Sequence, residues 1–231
     1  MESSVSVILP TYNESMNIRE MIKRLNKSVK NLKEILVIDD NSPDKTAKIA
    51  SGMKKVKVLV RKNERGVGSA IHNGIKLAKG DIIAWMDCDL SMPPEVLAKM
   101  VEKVKDNDVV VGSRYVQNGK DERDFIRVIT SKAINLMANF ILNFKIKDYD
   151  SGFIASKREV FEKVMFDPKG HGEYCIEFLY KCTRQGFKVK EVGYVFRDRE
   201  KGVSKSNASF LGFIKFGFQY GFRILKIRLS S

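Results

Sequence analysis

The chain has 231 residues, of which 43% are hydrophobic and 30% are charged. This composition is sufficient for one sizeable hydrophobic core and excludes a disordered chain. The formal net charge of +14 predicts an anionic partner: nucleic acid, a membrane surface or a phosphorylated substrate. The three cysteines, Cys88, Cys175 and Cys182, lack the pattern of a disulfide framework and fit a reducing compartment.

Strands and helices alternate in the first half of the chain. The run VSVILP predicts a strand from Val5 to Leu9 that Pro10 ends, and Asn17 is a candidate N-cap for the next helix. EILVID, KVKVLV and DIIAWMD predict three more buried strands, with helices in DNSPDKTAKIASGM and SAIHNGIKLAK. Apolar strands separated by helices predict an α/β fold with a mostly parallel central sheet flanked by helices.

Polar residues follow three of these predicted strands, in the sequences PTYNE, DDNSPD and DCDLS. In parallel sheets, ligands bind beyond the carboxyl ends of the strands, so the three sequences indicate a binding site. Asp87 and Asp89 are two residues apart at a strand end and can face one spot. Two close carboxylates repel unless a cation lies between them, which suggests a divalent metal. An ordinary solvated turn before Pro93 and Pro94 is the alternative.

The second half is less regular. DVVVGSRY predicts a strand, residues 128–144 a helix, and YCIEFLYKCTRQG a helix that Gly186 closes. KDYDSGF indicates a turn-rich connection, and KVKEVGYVF a strand that leads into a basic loop. Since no repeat or low-complexity linker intervenes, we expect one catalytic domain at residues 1–209, followed by a basic aromatic segment at residues 210–231.

The signatures of the common phosphate-binding loops are missing. GVGSAIHNG contains only part of a GxGxxG pattern, and in the third strand-helix unit instead of the first. Gly66 and Gly68 therefore fit a tight strand-to-helix turn better than a dinucleotide site. A metal on Asp87 and Asp89 would bridge a diphosphate, an arrangement that phosphoryl transfer and glycosyl transfer both use.

Seven motifs resemble, in order and approximate spacing, the family 2 inverting glycosyltransferases with the GT-A fold, in particular the polyprenol (dolichyl) phosphate mannose synthases. They are ILPTYNE, VIDDNSPD, GVGSAIHNGIKLAKGD, MDCDLS, GSRY, DSGF and GVSK, and they extend from residue 5 to about residue 206. The resemblance implies a nucleotide-binding α/β fold, a sugar-nucleotide donor such as GDP-mannose, a Mg2+ or Mn2+ cofactor, and a lipid phosphate acceptor.

The resemblance also implies residues for the donor and the metal. The implied donor-nucleotide residues are Pro10, Tyr12, Glu14, Ile38, Asp40, Asp87 and Cys88. The implied metal residues are Asp87, Asp89 and Ser91, with Asp89 the expected direct ligand and a catalytic residue. Some family members have Gln at the position of Ser91, and a hydroxyl is the weaker ligand. For Tyr12, the alternative is simple packing against the end of the sheet.

For the acceptor, the resemblance points to basic residues. Arg114, Arg127 and Ser131 match positions that hold the acceptor phosphate, for which a bidentate guanidinium is well suited. Arg127 and Ser131 are also i, i+4 on the predicted helix and so share a face. The alternative for Arg127 is a solvated surface charge.

A basic loop matches the family segment that closes over the diphosphate. Arg199, Ser204 and Lys205 lie in this loop, and Arg199 is the second expected catalytic residue, since its charge would stabilise the leaving group. Glu177 matches a family acid but equally fits a structural ion pair. Neither His72 nor His171 falls in a matched motif. A phosphate monoester acceptor is already anionic at neutral pH and does not need a general base.

The C-terminal stretch FLGFIKFGFQYGFRILKIRL is basic and aromatic. It fits either an amphipathic helix at a membrane interface or a helix that packs on the core or on a partner subunit. The N-terminus lacks signal-peptide features, and the chain is too short for the transmembrane extension of some relatives. We therefore expect a peripheral protein on the cytoplasmic face of a membrane, with a small membrane subunit as a candidate partner.

These observations predict a metal-dependent inverting glycosyltransferase that moves mannose from GDP-mannose to dolichyl or polyprenyl phosphate. A UDP-sugar donor, giving a glucosyl or N-acetylhexosaminyl lipid, would preserve most of the motifs and is the alternative. A nucleic-acid-binding domain would suit the charge, but the sequence lacks the ordered aromatic and basic motifs of such domains, so we expect no nucleic-acid partner.

Overall fold

The computed structural model of the protein describes residues 3–168, 172–198 and 210–230. The strands are β1 Val5–Thr11, β2 Leu32–Asp39, β3 Val56–Val60, β4 Ile82–Trp85, β5 Val109–Ser113, β6 Lys120–Asp121, β7 Ile154–Lys157, β8 Val189–Gly193 and β9 Val195–Phe196. The helices are α1 Ile18–Ser28, α2 Thr46–Ser51, α3 Val67–Leu77, α4 Pro94–Lys103, α5 Phe125–Ile141, α6 Val160–Lys163, α7 Glu173–Arg184 and α8 Phe210–Leu229.

Within these ranges, seven strands form one sheet in the order β3-β2-β1-β4-β7-β5-β8, and β6 pairs with β9 beside it. β1 is parallel to both β2 and β4, β2 is parallel to β3, and β5 is parallel to β8. The predicted α/β fold with a mostly parallel, helix-flanked sheet is confirmed. The chain extends from β1 in both directions across the sheet, so a crevice opens at the carboxyl end of β1.

Strand β7 is antiparallel to both of its neighbours, β4 and β5, and the sequence analysis did not predict it. Its residues Ile154, Ala155 and Ser156 are fully buried. A run of four residues with one β-branched side chain gives a weak local signal. The strand forms because it pairs with a neighbouring strand on each side. Its start lies at the same sheet edge as the ends of the parallel strands.

Pro10 does not end β1, as the sequence suggested; the strand continues through it to Thr11, and Pro10 pairs with Ile38. The main-chain oxygen of Ile8 accepts a hydrogen bond from Met86 on the β4 side (3.4 Å), and residue 10 of a strand faces the same neighbour as residue 8. β4 pairs with β1 only as far as Ile8. The missing N–H of Pro10 therefore breaks no ladder hydrogen bond.

Two helix predictions also need correction. The predicted helix at residues 128–144 begins earlier, at Phe125, because the Asp124 carboxylate accepts a hydrogen bond from the N–H of Arg127 (3.1 Å) and caps the first turn. It ends at Ile141. Helix α4 begins at Pro94, where a proline at the first helical position is favourable, and was not predicted. Gly186 follows α7 with φ +82°, as expected for a residue that closes a helix.

The hydrophobic core lies on both faces of the sheet, since successive strand residues point to opposite sides. Val7 and Leu9 pack on one face with side chains of α1 and α4. Ile8 and Trp85 pack on the other face with side chains of α3, α5, α7 and α8. The Trp85 ring lies 5.4 Å from the Phe178 ring in an edge-on arrangement, which joins β4 to α7.

The last turns of α8 pack against this second face. Tyr220, Ile224 and Ile227 recur at i, i+4 and i+7 and are buried, whereas Phe222 and Leu229 are exposed. Arg223 donates hydrogen bonds to Asp167 (3.0 Å) and to Glu177 of α7 (2.8 Å). Among the residues that the structure describes, no helix combines the length and apolar character needed to cross a membrane.

Candidate active site

The carboxyl ends of β1, β2, β4 and β5 and the start of β7 meet at one edge of the sheet. Backbone contacts fix the loops at this edge: Asp40 donates its N–H to Thr11 (2.9 Å), and Gly112 donates to Phe153 (2.8 Å). The hydroxyl of Ser151 also donates to the carbonyl of Gly112 (2.5 Å). The sequences PTYNE, DDNSPD, DCDLS, GSRY and DSGF therefore surround one crevice.

The loop after β1 is held by its acidic residue. Glu14 is buried; its N–H donates to Thr46 Oγ1 (2.9 Å), and its carboxylate accepts from the Asn17 amide (2.9 Å). Asn17 thus lies at the predicted cap position of α1, but its side chain bonds Glu14 and does not cap the helix. The Arg65 guanidinium lies 4.9 Å from the centre of the Tyr12 ring. An open depression beside this loop is lined by Asn13, Ser15, Met16, Asn17, Pro43 and Asp44.

Two successive carboxylates follow β2, and both are bound by donors. Asp39, which the sequence analysis did not single out, accepts from Thr11 Oγ1 (2.9 Å) and from the Ser42 N–H (2.8 Å). Asp40 accepts from Arg61 Nε (2.8 Å) and Nη2 and from the Gly66 N–H (2.8 Å). This buried ion pair joins the end of β2 to the turn before α3. The sequence analysis did not identify Arg61 as the partner of Asp40, although a basic residue directly after β3 could have suggested it.

Ile38 and Cys88, both predicted for the donor nucleotide, have buried side chains within the hydrophobic core. Ile38 lies in β2 and pairs with Pro10 of β1, and Cys88 lies between the two acids of DCDLS. The roles predicted for these two residues toward the donor nucleotide stay predictions.

The DCDLS turn after β4 orients Asp89. Its Oδ1 accepts from the N–H of Ser91 (3.1 Å) and from the Ser91 hydroxyl (2.5 Å), and Leu90 between them has φ +67°. Ser91 thus holds Asp89, and its role as a metal ligand stays a prediction. Asp87 is half-buried, and its charge adds to the effect of burial in raising the pKa of Tyr174 on α7.

The chemistry of this turn suits a hard divalent cation. Carboxylate and hydroxyl oxygens are the ligands that Mg2+ and Mn2+ prefer, and Mg2+ is commonly held by one or two carboxylates together with substrate phosphates. Among the described residues, no group of three or more His, Cys, Asp or Glu side chains could hold a metal by itself. Asp87 and Asp89 therefore fit a metal that shares its coordination with a bound diphosphate and water.

Arg114 is buried among acidic residues at the end of β5. Its Nε and Nη2 donate to the two carboxylate oxygens of Asp148 (2.9 and 2.6 Å), and the main-chain N–H of Arg114 donates to the same residue (2.9 Å). Asp150 lies 3.7 Å from Nη2, and Asp121 lies 3.8 Å from Nη1. Asp148 thus occupies the bidentate fork that the sequence analysis expected to hold the acceptor phosphate.

Arg127 and Ser131 both lie on α5, as predicted. The Arg127 guanidinium is bound by carboxylates of Asp198 (2.9 Å) and Asp124 (3.0 Å), so it is not a purely solvated charge. Ser131 is buried, and its hydroxyl donates to Asp150 across 3.5 Å. The structure therefore brings Arg114 and Ser131 together at Asp150.

Asp150 and Asp148 were not assigned roles from the sequence, although their i, i+2 spacing in KDYDSGF repeats that of Asp87 and Asp89. Burial raises the pKa of Asp150 to about 6, with a further increase from Asp148 that Arg114, Arg123 and a hydrogen bond from Tyr220 partly offset. This carboxyl group therefore titrates nearer to neutral pH than a solvent-exposed aspartate does.

The structure gives Glu177 a structural role. Its carboxylate accepts from Lys181 one turn along α7 (2.6 Å) and from Arg223 of α8 (2.8 Å).

His72 on α3 is near the Phe166 ring, and burial lowers the pKa of His72. The predicted loop residues Arg199, Ser204 and Lys205, and also His171, lie outside the described residues.

Comparison with known proteins places this geometry in a family. The family model described as glycosyl transferase family 2 matches residues 6–165. The dolichol-phosphate mannosyltransferase of Pyrococcus furiosus is 42% identical over 209 residues, which are 87% of this chain and 58% of the relative. The present chain thus spans less than two thirds of that relative's length. The polyprenol monophosphomannose synthase of Mycolicibacterium smegmatis is 34% identical over 215 residues, covering 88% of this chain and 81% of the relative.

A solved structure shows the same fold. The glucosyl-3-phosphoglycerate synthase of Mycobacterium tuberculosis, in complex with Mn2+, UDP and glucosyl-3-phosphoglycerate, superposes with a TM-score of 0.70. The match covers 99% of this chain and 79% of that chain at 22% identity. The sheet order, the acidic edge and the sequence matches agree with one another, and the chain belongs to glycosyl transferase family 2.

Proposed function

We propose that the protein transfers mannose from GDP-mannose to dolichyl or polyprenyl phosphate in a metal-dependent reaction that inverts the anomeric centre. The observation that carries the proposal is the meeting of Asp40, Asp87 and Asp89 with Arg114 and Ser131 at one sheet edge. The names of the two sequence relatives, a dolichol-phosphate mannosyltransferase and a polyprenol monophosphomannose synthase, support the choice of sugar and acceptor.

The donor lies over the loops after β1, β2 and β4 in this proposal. Tyr12 offers a ring for stacking, and Glu14 and Asp40 offer carboxylates for base or ribose hydroxyl groups. Pro10, Ile38 and Cys88 shape the floor with main-chain atoms. Asp40 is already bonded to Arg61, so we assign it to holding the turn before α3 at the correct distance as well as to contacting the nucleoside.

Asp87 and Asp89 hold a divalent metal, Mg2+ or Mn2+, in this proposal, and Ser91 keeps Asp89 oriented toward it. When bound, the metal supplies positive charge to the diphosphate leaving group. By the family resemblance, Arg199 and Lys205 would add positive charge at the diphosphate, and Ser204 would add a hydroxyl donor. The carboxylates of Asp87 and Asp89 would otherwise repel the diphosphate, so the pair is suited to this donor only together with cations.

The acceptor phosphate is held by Arg127 and Ser131 of α5, with Arg114 contributing positive charge from behind. A phosphate oxygen forms a bond to the anomeric carbon while the bond from that carbon to the diphosphate oxygen breaks, and GDP leaves as an anion. The acceptor needs no general base, because a phosphate monoester is already ionised at neutral pH. Positioning the two substrates and stabilising the leaving group carry the reaction.

Helices α5 and α8 form the surface that meets the membrane in this proposal. Phe125, Ile129, Leu136 and Phe140 lie along one face of α5 and are between 49% and 81% exposed. Phe222, Leu225 and Leu229 form a similar exposed stripe on α8, which packs against α5. Lys132 and Lys226 are exposed beside these stripes, and the chain carries a net charge of +14. An apolar surface with basic residues suits an anionic lipid interface, which makes the protein a peripheral one on the cytoplasmic face.

The decisive assay is transfer itself. The purified protein is incubated with Mg2+ or Mn2+, farnesyl phosphate and, separately, GDP-mannose, UDP-glucose and UDP-N-acetylglucosamine, and the glycolipid is identified by mass spectrometry. We expect farnesyl phosphate mannose from GDP-mannose alone. Product from a UDP-sugar alone would replace mannose in the proposal, and failure with every donor, with or without a small membrane subunit, would refute it.

A further inference from the structure

The C-terminal helix reaches the acceptor side of the crevice through one hydroxyl group. Tyr220 of α8 is buried, and its Oη donates to Asp150 Oδ1 at 3.3 Å. Ile224 and Ile227, one and two turns further along, are buried in the core and anchor the helix at this height. Tyr220 and Asp150 are 70 positions apart in the chain, so only the packing of α8 brings them together.

The Tyr220 hydroxyl lies in a tightly packed space beside Gly172. A Cβ at Gly172, which precedes α7, would collide with the Tyr220 hydroxyl and would lie 3.2 Å from the Asp150 carboxylate. With any larger residue at position 172, the tyrosine hydroxyl would have to shift from its present place beside Asp150. Three segments thus meet at one carboxylate: the middle of α8, the start of α7 and the loop before β7.

Asp150 is adjacent to two of the residues assigned to the acceptor. Its Oδ2 accepts from Ser131 of α5 (3.5 Å) and lies 3.7 Å from Arg114 Nη2. Its main-chain N–H donates to Asn135 (3.2 Å), which keeps the backbone in place. The other charged or titratable groups that act on Asp150 are Asp148, Arg123 and Cys175. An anion at this point attracts the same donors that an acceptor phosphate would use.

We propose that Tyr220 is a positioning residue for the acceptor site, because its hydrogen bond to Asp150 Oδ1 weakens the hold of Oδ2 on Ser131 and Arg114 and so leaves these donors available to the acceptor phosphate. The inference rests on the proposed acceptor class, a lipid phosphate. It gives α8 a second role besides contact with the membrane: the helix that meets the lipid also sets the charge arrangement where the lipid phosphate binds.

The proposal predicts a defect that is specific to the acceptor. In Tyr220→Phe the ring remains and the hydroxyl is lost, so the ionised Asp150 carboxylate holds Arg114 and Ser131 more tightly than in the wild type. A hydrogen bond to a charged group corresponds to about tenfold in an equilibrium constant. We therefore expect KM and Kd for farnesyl phosphate to rise about fivefold to tenfold, with KM for GDP-mannose and kcat at saturating acceptor unchanged. Farnesyl phosphate binding is measured by calorimetry without donor.

A double variant separates positioning from simple packing. Asp150→Asn removes the competing charge, so Tyr220→Phe combined with Asp150→Asn returns KM and Kd for farnesyl phosphate to within about twofold of wild type. A packing defect would not be rescued in this way. Since protonated Asp150 does not compete, the difference between Tyr220→Phe and wild type also shrinks below pH about 6.

Tyr180→Phe is the matched control. It removes a tyrosine hydroxyl that also contacts α8, where it accepts from Arg228 (2.7 Å), but it does not contact Asp150. We expect it to lower the melting temperature without changing acceptor binding. Equal acceptor KM in Tyr220→Phe and wild type, or an equal defect in both tyrosine variants, would overturn the inference.

Two further outcomes are also decisive. If Tyr220→Phe does not fold, Asp150→Asn alone must bind farnesyl phosphate at least as well as wild type, and weaker binding would refute the inference. If wild-type protein neither binds farnesyl phosphate nor glycosylates it, the proposed function and this inference fail together. A wild type that makes product while its Tyr220→Phe variant behaves normally refutes the inference alone.

Discussion

At the scale of single residues, the acids of the crevice are stabilised by specific donors. Asp39 is bound by Thr11 and Ser42, Asp40 by Arg61, and Asp148 by Arg114. A buried carboxylate without such partners would be strongly destabilising. These partners explain how a sheet edge can carry so many acids and still fold.

Asp89 is expected to be essential for turnover. Asp89→Asn keeps the size of the side chain but removes the charge that a divalent metal requires, so we expect kcat/KM for transfer to fall at least about a hundredfold. Ser91→Ala should cost about tenfold or less, because the main-chain N–H of residue 91 still bonds Asp89. Both are measured as initial rates over a range of Mn2+ concentrations. Normal activity in Asp89→Asn would contradict the metal assignment.

Asp150 is expected to make stability depend on pH. Its pKa is raised from 3.8 to about 6, so the folded protein binds this proton more tightly than the unfolded chain does. The resulting stabilisation is fully present below pH about 4 and is lost as the pH rises through about 6.

Asp150→Asn removes this dependence. The variant should gain stability relative to wild type between pH 4.5 and pH 7, by on the order of 1–3 kcal/mol. Urea unfolding at the two pH values measures the change. A difference between variant and wild type that does not vary with pH would show that Asp150 does not titrate in this range.

At the scale of elements, β7 and α8 complete the side of the crevice that we propose for the acceptor, and the loops after β1, β2 and β4 form the side that we propose for the donor. β7 enters the sheet antiparallel between β4 and β5, so the loop before it, with Asp148 and Asp150, arrives at the edge where the parallel strands end. Helix α8 then covers α5 and α7 and supplies Tyr220 and Arg223. The donor side is built from consecutive strand-helix units, whereas the acceptor side needs segments from distant parts of the chain.

The ion pair between Glu177 and Arg223 is expected to support α8 rather than catalysis. Glu177→Gln should lower the free energy of unfolding by roughly 1–2 kcal/mol, since a partly buried charge-assisted hydrogen bond is lost, and should leave kcat unchanged. Lys181→Gln removes the pair within α7 and the hydrogen bond from Lys181 to the Met165 carbonyl (2.9 Å), and should cost about 1 kcal/mol or less without touching Arg223. Chemical unfolding and transfer rates are measured on the same samples. A loss of kcat in Glu177→Gln at full stability would show a direct catalytic role.

At the scale of the whole molecule, the positive net charge and the exposed apolar surface both fit the proposed contact with a membrane. The exposed stripes of α5 and α8 lie on helices that contact each other and that carry Ser131 and Tyr220 on their buried sides. The residue that we propose for the acceptor phosphate, Ser131, thus lies on the buried side of the helix that carries one apolar stripe. The net charge of +14 adds attraction to anionic lipid headgroups.

Membrane binding is expected to depend on α5. Phe125→Glu combined with Phe140→Glu replaces two highly exposed aromatic side chains by charges, so binding to anionic vesicles should fall at least about tenfold. Leu77→Glu is the matched control, since Leu77 is exposed at the end of α3 and lies outside both stripes. Vesicle sedimentation at low and high salt measures the binding. An equal loss in the control would assign the effect to charge alone.

The sequence predicted most of the donor side. Val5 to Leu9, EILVID, KVKVLV and DIIAWMD are uniformly apolar strands with helices between them, which is a local pattern, and right-handed crossovers then bring their ends to one edge. This local pattern is sufficient to place Asp40, Asp87 and Asp89 at that edge. The family resemblance supplied their predicted roles. The predicted end of β1 at Pro10 was wrong because pairing with β2 continues the strand to Thr11. The predicted start of the helix at residue 128 was wrong because Asp124 caps a helix that begins at Phe125.

The sequence by itself determined the fold class and the acidic sheet edge, because strand polarity and apolar periodicity are properties of short segments, and the resemblance of its ordered motifs indicated the family. Only the tertiary structure decided that β7 enters the sheet antiparallel, that Asp148 occupies the fork of Arg114, and that Tyr220 reaches Asp150. The last two contacts join residues 34 and 70 positions apart, and nothing local distinguishes their side chains from others of the same type. Their pairing follows from which helices cover which face of the sheet, and this is a property of the packed molecule.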